Sequence, residues 1–162
     1  MPPTNNPPTA DQFDLVSAIE QCARSGEFMQ SILDVYEALE QTRTPKDAIC
    51  LGGGACCRFD LFDHRLYATV GELALLQRAQ PADISRLAMN RCPYQQGPKC
   101  LARENRPLGC RIFFCREKTD ISEPDAYETP HNRISELHQH HNMPYAYVEL
   151  ISTLKLLHKF CR

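Results

Sequence analysis

Seven cysteines lie within the 66 residues from Cys50 to Cys115, and they constrain this 162-residue chain more than any other feature. They are Cys50, Cys56, Cys57, Cys92, Cys100, Cys110 and Cys115; Cys22 and Cys161 stand apart. Nine cysteines in all is an odd number, so one chain cannot pair every thiol internally. The opening stretch MPPTNNPPTADQFD has no basic start and no apolar run, so no secretory signal is expected there. Nowhere does an apolar run approach the roughly 18 residues of a membrane span. The expectation is a cytoplasmic protein with no membrane contact, whose thiols stay reduced. Clustered cysteines in that compartment are more often metal ligands or redox groups than disulfides. Thiolate is the binding form, and it selects zinc, copper(I) and iron–sulfur centres.

The seven fall into two segments, 50–57 and 92–115, and a tetrahedral site draws four ligands from two or more segments. A metal joining them would close a long loop and order backbone that shows no regular period. The glycines of CLGGGACC, Gly52 to Gly54, permit positive φ and close backbone approach, so that N–H groups can reach sulfur from outside the ligand set. A phosphate-binding loop is the rival reading, but the following Lys and Ser/Thr are missing. The adjacent pair Cys56-Cys57 leaves three arrangements open: both on one metal, one ligating and one packing, or two nearby metals.

Charge adds a second constraint. Arg91, Lys99, Arg103, Arg106, Arg111, Arg116 and Lys118 face only Glu104 and Glu117, a local +5 in a chain of net −2. Either this is a basic face for something anionic, or the cations compensate thiolates around a metal. The overall charge gives no general field toward nucleic acid or a membrane surface, and nucleic acid is not an expected partner.

The fold class expected is mainly α: a small α domain with irregular cysteine-rich loops stapled by metal, an N-terminal helical hairpin and a C-terminal helix. Residues 1–10 are rich in Pro, Asn and Thr and read as a disordered tail. A hairpin spans 11–45, with helices near 11–24 and 27–41 and Asp11 as N-cap. Its stripes are Leu15, Ile19 and Cys22, then Phe28, Ile32, Val35 and Leu39. The metal-binding domain spans 46–144. It opens with an extended piece, Arg58–Tyr67. Thr69-Val-Gly-Glu72 then forms a capping box ahead of a helix near 70–79, and Pro81 starts a short helix over 81–89. Residues 117–133 read as a polar connector, 131–140 as a helix, and His141 to Pro144 as a turn. A helix over 145–160 within 145–162 closes the chain, packing on the domain.

The block C92-P-Y-Q-Q-G-P-K-C100 followed by R106-P107-L-G-C110-R111-I-F-F-C115 strongly resembles the YkgJ-type cysteine-cluster family, the CxxCxxCC zinc- or iron-chelating domain. Cys50, Cys56 and Cys57 resemble its opening, Thr69 to Glu72 its usual helix start, and HNMP at 141–144 a late element of some members. The resemblance covers about 50–144. It implies a site that chelates zinc or iron; the Cys-Pro step and the arginine-rich surround add a [4Fe–4S] cluster as a further form. The family's second opening cysteine falls at Gly53, so this chain has one fewer candidate ligand, with Cys115 or His141 as substitutes. Arg106, Arg111 and Gly53 are expected to support the ligands from outside, with Pro107 fixing the turn.

Cys22 and Cys161 sit on apolar stripes and read as buried structural thiols. His138 and His141 share a helix face and could ligate, although exposed polar histidines are commoner; His64 reads as surface. No Ser-His-Asp set or supported carboxylate pair is present, so catalysis would have to work through the metal. Three functions remain open: a structural or sensing metal centre, a [4Fe–4S] redox enzyme or accessory factor, and a scaffold whose helical ends bind a protein partner.

Overall fold

The computed structural model describes residues 14–42, 57–62, 65–112 and 125–160. The expected tail lies outside them. Helix α1 runs Leu15–Arg24, capped by Asp14, whose carboxylate accepts from Ser17 N at 3.1 Å and Ser17 Oγ at 2.6 Å. The cap is therefore three residues later than Asp11. Ser25 ends α1 with its N–H on the Cys22 carbonyl, and its hydroxyl accepts from Phe28 N to start α2, Gly26–Thr42. One serine thus serves both helix ends, which sets a tight hairpin.

On α2 the buried stripe is Phe28, Met29, Ile32 and Tyr36; Val35 and Leu39 are only half-buried. The face is rotated from the sequence expectation because Tyr36 points inward to a buried hydrogen bond. The hairpin packs chiefly on α4, Val70–Leu76, every residue of which is buried. The capping box before α4 forms as expected: Glu72 N donates to Thr69 Oγ1 at 3.2 Å and Thr69 N to Glu72 Oε2 at 2.8 Å.

Residues 58–67 are not one extended piece: Phe59–Phe62 is a helical turn, α3, and among the described residues of this stretch the strand, β1, is confined to Tyr67–Thr69. β1 pairs antiparallel with β4, Tyr147–Glu149, in the register Ala68↔Val148. The final helix, α7, consequently begins at Leu150 and not at 145. Glu149 enforces this start, because its carboxylate accepts from Ile151 N and Ser152 N. Over 81–89 the helix is a 3₁₀ segment, Ile84–Met89, capped by Asp83. The N–H groups of Ala82 and Asp83 both donate to Pro93 C=O, which keeps Pro81 out of it.

The region after Asn90 has more support than its missing period predicts. β2 (Gln95–Gln96) and β3 (Lys99–Cys100) form a small hairpin around Gly97 at φ +57°, a left-handed turn position that suits glycine. A short helix α5, Leu108–Ile112, follows. Tyr94, Ala102 and Leu108 from this stretch join the same core as Ile19, Phe28 and Leu73. Hydrophobic burial, about 1.5–3 kcal/mol for a side chain such as Leu108, therefore anchors this loop. The connector over 117–133 also changes: helix α6 is Asp125–His140 and carries Pro130 inside it. The proline lies near the N-terminal end and forfeits a single backbone bond there. The HNMP turn forms as expected, with Asn142 left-handed and Met143 N on the His138 carbonyl at 2.8 Å. No helix among the described residues is long and apolar enough to cross a membrane.

Candidate metal centre

Four of the seven clustered cysteines line one small cavity of about 30 Å³: Cys57, Cys92, Cys100 and Cys110. Each comes from a different local structure. Cys57 precedes α3, Cys92 precedes β2, Cys100 ends β3 and Cys110 lies in α5. Phe59, Leu76, Tyr94, Pro107 and Leu150 supply much of the apolar wall. Cys50, Cys56, Cys115 and Gly53 lie outside the described residues, as do Cys161 and His64. Among the described residues, no group of three or more His, Cys, Asp or Glu side chains is placed to hold a metal ion.

The two cysteine segments meet through backbone and charge. Cys92 N donates to Cys57 C=O at 3.2 Å. Beside that bond, Asp60 accepts from Arg58 Nε at 3.0 Å and Arg91 Nε at 3.1 Å. The Arg58 hydrogen bond, with help from Arg91, holds the Asp60 carboxyl well below the usual carboxylate range. Burial, reinforced by Cys92, pushes the Tyr94 phenol up.

Arg106 also lines the cavity, and its Nε is buried with no hydrogen-bond partner among the described residues. A cation beside four thiols, with an unsatisfied donor, is what a thiolate centre would neutralise. The donor set is soft sulfur, which fits zinc or iron.

Arg111 is almost fully buried. It donates from Nε to Arg106 C=O at 3.0 Å, from Nη2 to Glu104 C=O at 2.6 Å, and from Nη1 to Glu40 at 2.5 Å. Its guanidinium lies 4.0 Å over the Tyr36 ring. Arg111 thus holds a carboxylate and two carbonyls, and through them it ties the 104–111 loop to α2.

Tyr36 and Asp60 are not singled out by sequence, and Glu72 only as part of a capping box; His138 is considered only as a ligand. Buried Glu72 completes its capping box and also accepts from Tyr36 Oη at 3.0 Å and Leu108 N at 2.8 Å. The capping box itself was legible; the other two partners are distant in sequence. Burial first, then Glu72, pushes the Tyr36 phenol up. His138 is fully buried, contrary to the expectation of an exposed residue. It packs on Phe28 and Tyr145, and its Nδ1 donates to Pro144 C=O at 2.7 Å. Burial lowers its pKa to about 4, so it is neutral at pH 7. His141 sits by Ser31 Oγ at 3.3 Å and is not part of the cavity wall. Cys22 is a buried thiol pushed up to about 11 by desolvation, chemically quiet as expected.

No protein-family model, curated protein or solved structure matches the chain.

Proposed function

We propose that this chain is a cytoplasmic metal-binding protein of the YkgJ-type cysteine-cluster kind, in which the clustered cysteines bind zinc or iron in a structural or sensing role. One observation supports the reading above all: Cys57, Cys92, Cys100 and Cys110, from four separate local structures, border a single cavity beside Arg106, whose Nε has no hydrogen-bond partner among the described residues. A cavity of about 30 Å³ has room for an occupant about the size of a water molecule or two. That size favours a single ion over a cluster of four irons and four sulfides. To share an ion, these side chains turn toward one point or take a further donor from Cys50, Cys56 or Cys115. Bound there, a zinc ion would add folding energy, whereas an iron centre would also offer electron transfer.

Residues of the chain supply the rest. Arg106 stands on the cavity wall, where its charge would compensate an anionic centre, and the apolar wall of Phe59, Leu76 and Leu150 limits water and raises the weight of that charge. The deciding experiment is anaerobic purification from iron-replete culture, followed by elemental analysis, sulfide determination and a visible spectrum. Colourless protein with about one or two zinc ions supports a structural or sensing centre. Iron with sulfide and a broad visible band makes redox chemistry the leading function. Protein that takes up neither metal, even when reconstituted in reductant, overturns the reading.

A further inference from the structure

We propose that two separate polar clamps assemble the cysteine-lined cavity, Asp60 setting Cys57 against Cys92 and Glu72 setting Cys110. The purpose of the clamps rests on the metal-binding reading; their geometry does not.

Asp60 joins the two cysteine segments at one point. Arg58 follows Cys57 and donates from both Nε and Nη2 to the Asp60 carboxylate, at 3.0 and 3.2 Å. Arg91 precedes Cys92 and donates to the same carboxylate. The backbone bond from Cys92 to Cys57 joins the residues next to these two arginines, so the carboxylate and the backbone bond close one small ring of contacts. Removing the carboxylate leaves two cations facing each other beside that bond.

Glu72 acts on the other side. A capping box needs only the Oε2 contact to Thr69 N. Here Oε1 does a second task, accepting from Leu108 N and Tyr36 Oη. Leu108 opens α5, and Cys110 sits one half-turn further on, its own N–H on Pro107 C=O. A carboxylate that is 1% exposed is costly to desolvate, and three donors offset that cost. Glutamine keeps the shape but cannot accept at both ends, since its amide faces one of the three donors with another donor. Both clamps act through backbone next to cysteines, so both are positioning residues.

The test uses the full chain in reductant, without added metal, at a temperature far below unfolding. Alkylation rates of individual cysteines are read by mass spectrometry, and zinc affinity is read separately by competition with a chromophoric chelator. Glu72→Gln is expected to speed Cys110 labelling about tenfold relative to Cys57 and Cys92. Asp60→Asn is expected to speed Cys57 and Cys92 and to spare Cys110. Glu72→Gln should weaken zinc binding about 10–100-fold, as loss of outer-shell support does, and Asp60→Asn, whose ion pairs are partly solvent-exposed, about two- to fivefold. Should Glu72→Gln not fold, Tyr36→Phe removes one donor to the same carboxylate, keeps the ring under Arg111, and gives the same selective pattern at lower amplitude. Uniform acceleration of all three cysteines, or no change, overturns the clamps and leaves them as general stabilisers. A wild type that binds no zinc, with variants that show the selective pattern, would sink the metal reading and keep the clamps. Unaltered zinc affinity in both variants with uniform labelling would do the reverse.

Discussion

Replacing Arg111 by alanine should cost more than replacing any other cation among the described residues, because Arg111 is 4% exposed and its guanidinium is fully engaged. Two of its hydrogen bonds run from a charged donor to backbone carbonyls, of Glu104 and Arg106. Bonds of this kind contribute about 1.5–3 kcal/mol each. The stacking over buried Tyr36 adds up to about 2 kcal/mol in a desolvated setting. The ion pair to Glu40 contributes little, since that carboxylate is 57% exposed and about 1 kcal/mol is its ceiling. The terms overlap, and water can reach part of the freed backbone, so the expected loss is about 3–5 kcal/mol. In a chain of this length that lowers the melting temperature by about 10 °C. Urea unfolding in reductant reads the loss directly. Arg111→Lys should recover less than half, because one ammonium cannot span two carbonyls and a ring face. Glu40→Gln should stay within about 1 kcal/mol of wild type. If Arg111→Ala also stays within that margin, the loop over 104–111 does not depend on Arg111 and the reasoning fails.

Three further outcomes are expected. Gly71→Ala should destabilise by about 1–3 kcal/mol, since its Cβ would stand 2.8 Å from the Phe28 ring and 2.9 Å from His138 Nε2; unchanged thermal unfolding would show that these rings move aside freely. His138 is held neutral, with a folded pKa of about 4 against about 6.5 unfolded, so its stabilisation is complete above pH 6.5 and drains away as pH falls toward 4. On the order of 3 kcal/mol is at stake, and His138→Leu should flatten that part of the stability profile; parallel profiles for variant and wild type would contradict it. Cys110→Ser should lower bound metal and melting temperature together, while Cys22→Ser leaves metal content alone; equal metal in Cys110→Ser removes that thiol from the ligand set.

The features the sequence determined unaided are those whose contacts lie within a turn or two along the chain. Helical periodicity marked α1 and α2, the Thr69/Glu72 pair marked the start of α4, and HNMP marked the turn before β4, because caps and turns are made by residues a few positions apart. The division of the cysteines into two segments was likewise plain from spacing. Tertiary structure decided everything that needed a distant partner. β1 and β4 are three residues each, too short to show a period, and exist because each completes the other's hydrogen bonds. Tyr36 turns inward because Glu72 and Arg111 wait there, which rotates the buried face of α2 away from Val35 and Leu39. His138 is polar in any one-dimensional reading, yet Phe28 and Tyr145 enclose it. Sequence could say that two cysteine segments are present; only packing could bring Cys57, Cys92, Cys100 and Cys110 to one cavity, because their segments join a core whose members are far apart in the chain.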